Sequence, residues 1–339
     1  MQSPKVTIIV VPRERFSYTQ KSLENLYQNT NLPFNLIYVD LNSPPHIRHY
    51  LAEKAKEKNF HLIRVDRFLT PNQARNLALK QVKTEYVLFT DNDVLVTTGW
   101  LKNLVKCADE TEAWVVGPLC LEGANFDKVH MAGGSYHFKQ RGNERWMIMR
   151  RPWFRTPLSK VNVEFKRQPT QAIEFHCVLV RKQVFQELGL LDEQIMGMGQ
   201  EDDLCLTVLQ SGKQIYFEPA SVITYVPPQT ISWSEMPFFY LRWSEAWCET
   251  SVNRMREKWN LAEDAPVMKN YKKFIASHSY LPEPRVAKGH SYLDWIMKFQ
   301  TKLLSKKIIM RSARKLINWQ TSLNSRFVEQ STMKEELLT

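Results

Sequence analysis

Residues 5–11, KVTIIVV, decide the fold, because this continuous β-branched run is typical of a strand buried on both faces. Three similar apolar runs follow at helix-sized intervals: FNLIYVD (34–40), FHLIRV (60–65) and EYVLFT (85–90). Helical patterns lie between them, and the clearest begins where Thr70 can cap a helix with Pro71 at its first position. Alternating strands and helices predict a parallel, doubly wound α/β sheet.

Composition and charge narrow the class of protein. The chain has 339 residues, of which 43% are hydrophobic and 24% charged, so we expect one or two packed domains. Its five cysteines never form a CxxC pair, which argues against a disulfide framework or a zinc ribbon and favours a cytoplasmic protein. The longest early apolar run is too short to span a membrane. The net charge of +11 predicts an anionic partner: nucleic acid, a lipid headgroup or a phosphorylated substrate.

Acidic residues follow the apolar strands at the edge where such sheets bind ligands. Pro12, Asp40 and residues 91–93 lie at predicted carboxyl ends, so they should converge on one crevice. Asp91 and Asp93 are two positions apart in extended chain, which lets both carboxylates approach one divalent cation, or one carboxylate and a ribose. The alternative is a turn in which the Asp and Asn side chains supply local hydrogen bonds.

Three consecutive acids mark a second candidate site. Glu201, Asp202 and Asp203 follow two nearby glycines and precede an apolar helical pattern. Acids at a helix start can be no more than caps favoured by the helix dipole. Three exceed what capping requires, and their mutual repulsion raises the pKa of at least one carboxyl, which makes it a candidate general base. Both interpretations stay open at this point.

Other polar residues lie close to these acids in the predicted order of elements. Arg75 and Asn76 lie on the helix before the strand that leads into residues 91–93, Asp-Asn-Asp, which we call the DxD motif. There the Arg75 guanidinium could neutralise a diphosphate or simply be solvated. His176 lies in an apolar strand, which is more typical of a satisfied core residue than of a ligand. His130 and His137 flank a Gly-Gly pair and could reach an acceptor or lie on a hairpin surface.

The order of these segments resembles the family 2 glycosyltransferases of the GT-A fold, over residues 5–261. The segments are common singly but specific in their joint order: VTIIVVPRER, the acid Asp40 that closes the second strand, NQARNLAL, FTDNDV, FHCVLVRKQVFQELGLLDE, GMGQEDDLCLTVLQSG and REKW. The resemblance implies a Rossmann-like, mostly parallel sheet with helices on both faces, followed by a helical C-terminal extension.

The resemblance also implies a reaction. The donor is a nucleoside-diphosphate sugar, most often UDP-linked, and Asp202 is the base that takes a proton from an acceptor hydroxyl in a single, inverting displacement. Glu201 holds donor or acceptor, while Asp91 and Asp93 hold the ribose and an Mn²⁺ or Mg²⁺ ion. The residues expected to contact the donor are Pro12, Arg13, Asp40, Arg75, Asn76 and Asn92.

Two departures from the family pattern concern the donor. Where many relatives carry an aromatic side chain able to stack on uracil, this chain has Arg13, Glu14 and Arg15 after the first-strand proline. Relatives often use a histidine on the strand after the acidic block as a third metal ligand, and SVITYVPP (221–228) contains none. We therefore expect the carboxylates and the donor phosphates alone to hold the ion.

The segment between residues 120 and 170 is basic and aromatic, and it predicts a hairpin with an excursion over the crevice. Trp146, Trp153 and Phe154 are interleaved with arginines, a mixture that suits single-stranded nucleic acid through stacking and phosphate contacts. It also suits an anionic glycan, a lipid-linked molecule or another hydroxyl acceptor, which we favour because the family builds acceptor sites in this region.

Two other classes of protein remain as alternatives to a glycosyltransferase. A nucleotidyltransferase shares the sheet and the metal carboxylates but does not need a base such as Asp202. A non-catalytic protein that reuses the fold to bind membrane or nucleic acid would explain the charge. The released product distinguishes the three classes. We expect nucleoside diphosphate from a glycosyltransferase, pyrophosphate from a nucleotidyltransferase, and no product from a non-catalytic protein.

The C-terminal part of the chain differs in character from the rest. We expect residues 1–261 to form the catalytic domain, with a nucleotide-binding half (1–118) and an acceptor-binding half (119–261), and residues 262–339 to form a basic helical extension. Residues 285–327 contain ten Lys and Arg against one acid, interleaved with apolar side chains. Such a helix can lie in an anionic membrane surface, or it can pack on protein with its lysines solvated.

Overall fold

The computed structural model of the chain describes residues 3–123, 125–227, 231–232 and 234–278. The first half alternates strands and helices as the sequence predicts. Its elements are β1 (Val6–Val11), α1 (Thr19–Asn29), β2 (Phe34–Leu41), α2 (Pro45–Lys58), β3 (His61–Val65), α3 (Pro71–Leu79), β4 (Tyr86–Asp91), β5 (Val94–Val96) and α4 (Trp100–Thr111).

The second half adds more strands and a group of helices. Its elements are β6 (Val115–Glu122), β7 (Lys128–Met131), β8 (Ser135–Arg141), β9 (Glu144–Arg150), β10 (Gln168–Thr170), β11 (Cys177–Arg181), α5 (Gln183–Glu187), α6 (Gln200–Gln210), β12 (Ile215–Tyr225), α7 (Met236–Arg242), α8 (Glu245–Trp259) and α9 (Pro266–His278). The predicted hairpin is formed by β8 and β9, which pair with each other outside the main sheet.

The main sheet has the strand order β10-β12-β6-β11-β4-β1-β2-β3, with β5 paired to β12 and β7 paired to β6. Strands β3, β2, β1 and β4 are parallel, and β12 is parallel to β6. Strand β11 is antiparallel to both of its neighbours, β4 and β6. The predicted α/β fold is confirmed. Because β11 is inserted in the opposite direction, the residues that precede β11 lie at the same edge of the sheet as the end of β4.

Local sequence explains the parallel half of the sheet. Every side chain of β1 and β4 is buried, as the continuous apolar runs require. Helix α3 begins with a capping box, in which the Thr70 hydroxyl accepts from the N–H of Gln73 and the Gln73 side chain accepts from the N–H of Thr70. Together with Pro71 this box fixes the start of α3, and with it the face on which Arg75 lies.

Helix α9 packs on the same core as the sheet. Ala265, Met268 and Tyr271 are buried in the main hydrophobic cluster, although they lie beyond the predicted boundary at residue 261. The domain boundaries stay predictions, and the basic segment 285–327 lies outside the described residues. In the part of the chain that the structure describes, no helix combines the length and apolarity needed to cross a membrane.

Candidate active site

A group of polar side chains meets at the carboxyl ends of β1 and β4. Val11 pairs with Asp91 across these two strands, so the loops that follow both strands start side by side. Because β11 runs antiparallel to β4, the residues before β11 enter the same edge from the opposite direction. Helix α6 joins them there, since Nη1 of Arg75 on α3 lies 3.3 Å from Oε1 of Gln200. The predicted crevice is thus built from five elements.

Asp91, the last residue of β4, is held by three side chains. Nδ1 of His176 lies 3.0 Å and Nη1 of Arg13 lies 3.4 Å from its Oδ2, and Nη2 of Arg75 lies 3.5 Å from its Oδ1. Burial favours the neutral acid, but the hydrogen bond from His176 and the charge of Arg13 outweigh it and lower the pKa of Asp91 to about 2. Asp91 is therefore ionised at neutral pH and lies between two guanidinium groups.

The side chain of Asp93 is buried, and within the described part of the chain it has no hydrogen-bond partner. Among the described residues neither of its oxygens accepts a hydrogen bond, and Nε of Arg15 lies 3.6 Å from Oδ2. Burial, which the Arg15 charge offsets only in part, and repulsion by Asp91 raise the pKa of Asp93 to about 7. A buried carboxylate with two unpaired oxygens fits a hard divalent cation, which prefers oxygen ligands. Asp93 is the better suited of the two predicted metal ligands, because the oxygens of Asp91 are already engaged.

Asn92 shapes the loop that follows β1. Its amide donates to the carbonyl of Arg15 at 2.7 Å and to the hydroxyl of Thr19 at 3.1 Å, and its oxygen accepts from the N–H of Arg13 at 3.2 Å. These bonds hold the loop that starts at the buried Pro12. They place the Arg13 and Arg15 side chains beside the two carboxylates of the DxD motif. The local-turn interpretation therefore describes Asn92, whereas Asp91 and Asp93 contact side chains distant in sequence.

Asp40 lies near the end of β2, at the neighbouring part of the same edge. Its Oδ2 accepts from Nη1 of Arg64 at 2.6 Å, and its Oδ1 accepts from the N–H of Ser43 at 3.2 Å. Within the described residues, none of its hydrogen bonds joins the group around Asp91. The structure thus presents Asp40 as a fixed carboxylate next to that group.

Arg75 and Asn76 are neighbours on α3 but face different partners. The Arg75 guanidinium stacks 3.9 Å above the ring of Phe175, and burial lowers its pKa to about 10, so the group stays charged at neutral pH. The Asn76 amide donates to the carbonyl of Leu191 at 2.8 Å and to Glu193 at 2.9 Å. Arg75 therefore belongs to the site, whereas Asn76 anchors the loop before α6.

Asp202 is held by two tyrosines. It is 2% exposed, the hydroxyl of Tyr136 on β8 donates to its Oδ1 at 2.5 Å, and the hydroxyl of Tyr271 on α9 donates to its Oδ2. Burial raises the pKa of Asp202, while the two hydrogen bonds oppose that shift. This carboxylate is thus the point where the hairpin, α6 and α9 meet.

The acids on either side of Asp202 have different surroundings. Burial, with repulsion by Glu174 and Asp202, raises the pKa of Glu201 to about 7. Asp203 accepts from Nζ of Lys258 at 2.9 Å and from the indole N–H of Trp259 at 2.8 Å, both on α8. Glu201 therefore has a proton affinity suited to exchange near neutral pH, and Asp203 ties α6 to α8.

Several residues at this site were not assigned roles from sequence. Tyr136, Tyr271 and Glu174 carry no local motif, and they reach the site only because three distant segments fold together. His176 was expected to be a satisfied core residue, and it is buried, but its Nε2 has no partner among the described residues. Burial and the nearby charge of Arg13 lower the pKa of His176 to about 4, so the ring is neutral at neutral pH.

The mostly parallel sheet, with carboxylates at the end of β4 and on α6, has the architecture of the GT-A fold. The chain matches the model of glycosyl transferase family 2 over residues 7–189, which is more than half of its length. It belongs to this family. The resemblance stated from sequence is thereby confirmed.

Two curated relatives and one solved structure illustrate the match. The O-antigen biosynthesis protein RfbC of Myxococcus xanthus is 27% identical over 216 residues, or 63% of this chain and 16% of the relative. The teichoic acid poly(glycerol phosphate) polymerase of Staphylococcus epidermidis is 35% identical over 91 residues, or 26% of this chain and 13% of the relative. This chain therefore spans less than a fifth of either protein.

The solved structure is that of GalNAc-T7 with UDP, GalNAc and Mn²⁺. It superposes with a TM-score of 0.53 at 17% sequence identity, covering 80% of this chain and 54% of that one. At this identity the likeness supports the fold.

Proposed function

We propose that the chain transfers a sugar from a nucleoside-diphosphate sugar, namely a UDP-sugar, to an acceptor hydroxyl with inversion at the anomeric carbon. One observation carries the proposal. Asp91 and Asp93 at the end of β4, Arg75 on α3, and the Glu201–Asp202 pair on α6 lie at one edge of the sheet. A cationic group next to metal-type carboxylates and a candidate base is what a single displacement of a diphosphate requires.

Donor binding follows from the buried charges. Arg13 and Arg75 lie on either side of Asp91, and they would pair with the diphosphate through bidentate hydrogen bonds. Asp40, held by Arg64, would accept from a ribose or base donor group. Asp93 would hold the divalent ion, Mn²⁺ or Mg²⁺, which when bound neutralises charge on the leaving diphosphate. The solved GalNAc-T7 complex with Mn²⁺ supports a divalent ion of this kind.

Proton transfer would fall to Asp202. Its raised pKa favours accepting a proton, and the two tyrosine hydroxyls hold the carboxylate in one orientation. In this mechanism Asp202 removes the proton of the acceptor hydroxyl as that oxygen attacks the anomeric carbon. Glu201, beside it, would hold a hydroxyl of donor or acceptor.

The acceptor side is built by the β8–β9 hairpin and the segment after it. Arg151 stacks 4.0 Å from the ring of Phe154, and Arg155 lies 5.2 Å from the same ring. Arginines stacked on an aromatic ring suit an anionic glycan or polyol phosphate better than a neutral sugar. The names of the two curated relatives, an O-antigen protein and a teichoic acid polymerase, support acceptors of this class. Nucleic acid is the disfavoured partner.

The place of action proposed is the cytoplasm, at the inner face of the membrane where the basic C-terminal segment could contact anionic lipid. The spacing of the five cysteines argues against a disulfide framework, which favours the cytoplasm. The net charge of +11 favours contact with anionic lipid. Contact with lipid rests on sequence alone, because residues 285–327 lie outside the described residues.

The test is a two-step experiment on the full chain. A thermal-shift screen with nucleotide sugars, with and without Mn²⁺, identifies the donor, because a ligand that binds only the native state raises its stability. Product analysis with that donor then measures what is released. We expect nucleoside diphosphate. Release of sugar 1-phosphate, which is the leaving group when the nucleotidyl group of a nucleotide sugar is transferred, would favour a nucleotidyltransferase, and stabilisation by no nucleotide sugar would contradict the proposal.

A further inference from the structure

Three potential metal ligands meet beside the DxD motif. A ring nitrogen of His130 on β7, a ring nitrogen of His176 and a carboxylate oxygen of Glu174 all lie within 4.8 Å of one another. The two imidazole rings are 4.9 Å apart between centroids. His130 and Glu174 come from segments that are distant in sequence, so the fold itself assembles the cluster.

Both histidines are prepared to act as ligands through Nε2. Nδ1 of His130 lies 2.7 Å from Oε2 of Glu122, and Nδ1 of His176 lies 3.0 Å from Oδ2 of Asp91. In the tautomer whose Nδ1–H donates a hydrogen bond to the carboxylate, each ring carries its lone pair on Nε2. Histidines that ligate metals are oriented by carboxylates in this way.

The free nitrogen of His176 is the second observation that points to a ligand. His176 is 1% exposed, and its Nε2 is buried without a partner among the described residues. An unpaired polar atom in a buried position is unfavourable, and a ligand that binds it would relieve this cost. Nε2 of His130 lies 3.7 Å from Oε1 of Glu174, too far for a hydrogen bond.

Glu174 keeps one oxygen for a cation. Nη1 of Arg151 donates to its Oε1 at 3.0 Å, and the contact with His130 also falls on Oε1. Oε2 is thus the oxygen available to a metal. Arg151 fixes the carboxylate in the manner of an outer-shell partner.

We propose that His130, Glu174 and His176 form a site for a borderline transition-metal ion of the Zn²⁺ type, separate from the donor ion on Asp93. Two imidazoles and one carboxylate are a ligand set that zinc accepts, and three protein ligands leave a fourth position for a water or another oxygen ligand. Mg²⁺ prefers oxygen ligands alone, so the chemistry of the donor set distinguishes this site from Asp93.

The charges around the cluster are mixed. Glu122 contacts His130 and Asp91 contacts His176, so a negative charge lies beside each imidazole. On the acceptor side Arg151 contacts Glu174, and on the donor side Arg13 contacts His176, so two positive charges also lie close to the cluster. The ion would lie one imidazole away from Asp91. It would thereby join the acceptor-side strand β7 to the donor-side strand β4.

The test is a titration of metal-free full-length protein with Co²⁺, a spectroscopic substitute for Zn²⁺. We expect one equivalent to give visible d–d absorption of a low-coordinate nitrogen-containing site, and Zn²⁺ to displace it. His130→Gln and Glu174→Gln should each weaken Co²⁺ affinity by about 100-fold or more. His137→Gln, on the exposed part of β8, is the matched control and should leave the absorption unchanged.

The variant Asp93→Asn separates this site from the donor site. It should keep the Co²⁺ absorption, even where it abolishes Mn²⁺-dependent donor binding. Loss of the absorption in Asp93→Asn would mean that one shared ion serves both sets of residues, and it would overturn the proposal. The absence of visible absorption in the parent protein would also overturn it, whatever the variants do, and would leave the proposed transferase function standing.

Discussion

Replacing Asp202 by Asn tests the base directly. Asn keeps the size and hydrogen-bonding outline of Asp but cannot accept a proton at neutral pH. In the structure both oxygens of Asp202 accept from tyrosine hydroxyls, and an amide can accept from one tyrosine and donate to the other. We therefore expect Asp202→Asn to fold and to retain donor binding.

The magnitudes separate a catalytic from a structural role. Two charge-assisted hydrogen bonds become neutral ones, which costs about 1 kcal/mol each, and the lower desolvation cost of the amide offsets part of this loss. The free energy of unfolding should thus fall by less than about 2 kcal/mol. Removing a general base costs about 10²- to 10⁴-fold in rate, and with no other group in the same position the loss should lie near the upper end. A 10⁴-fold loss corresponds to about 5.5 kcal/mol in the barrier.

The assay combines three measurements on the same protein. Turnover is measured as nucleoside diphosphate released from the donor found by thermal shift, donor affinity by calorimetry, and stability by urea unfolding. The matched variants are Glu201→Gln and Asp203→Asn. We expect Asp203→Asn to lose stability rather than turnover, because Asp203 binds Lys258 and Trp259.

Two results would refute the assignment. Near-parental turnover in Asp202→Asn would remove the base from Asp202 and with it most of the mechanism. A loss of more than about 3 kcal/mol of stability in Asp202→Asn, combined with abolished turnover in a stable Glu201→Gln, would make Asp202 a structural anchor. Glu201, with a pKa raised to about 7, would then be the base.

Four further predictions test other parts of the molecule. Tyr271→Phe removes a hydrogen bond that lowers the pKa of Asp202. Because ionised Asp202 is needed for transfer, the acid limb of the pH–rate profile should move to higher pH, and an unmoved limb would contradict the role of Tyr271. Asp93→Ala should lose the Mn²⁺-dependent thermal stabilisation by nucleoside diphosphate. In the parent this stabilisation is about 2.7 kcal/mol at a ligand concentration of 100 Kd. Equal stabilisation of both proteins would count against a metal role for Asp93. Gly199→Ala should destabilise the fold by about 1–3 kcal/mol in urea unfolding, because the residue before α6 has φ +85° and an added Cβ would meet the side chain of Met255 at 2.8 Å. Deleting residues 285–339 should abolish sedimentation with anionic liposomes and leave donor hydrolysis unchanged, and a parent that ignores such liposomes at low salt would remove the membrane role.

The amino-acid sequence determined the elements whose signals are local. The β-branched run of β1 and the apolar run of β4 predict buried neighbouring strands, and both are buried throughout. Thr70 and Pro71 predict the start of α3, and the capping box lies there. Asp91 and Asp93 are predicted site residues because they lie at the end of a strand whose position in the sheet is set by topology, and the structure places both beside the loop that follows β1. Strand periodicity and capping act over a few residues, which is why sequence alone reveals them.

The tertiary structure decided which side chain each candidate contacts. Asp202 is held by Tyr136 and Tyr271, which are 66 and 69 residues away, and no local pattern connects these three positions. The lack of a partner for Nε2 of His176 among the described residues likewise becomes visible only when β7 and the segment before β11 lie together. Burial then sets the proton affinities, because the free energy of a charge depends on the solvent and partners that the fold leaves around it. Sequence places a carboxylate at a site, and packing around it decides whether it binds a metal, holds a loop or accepts a proton.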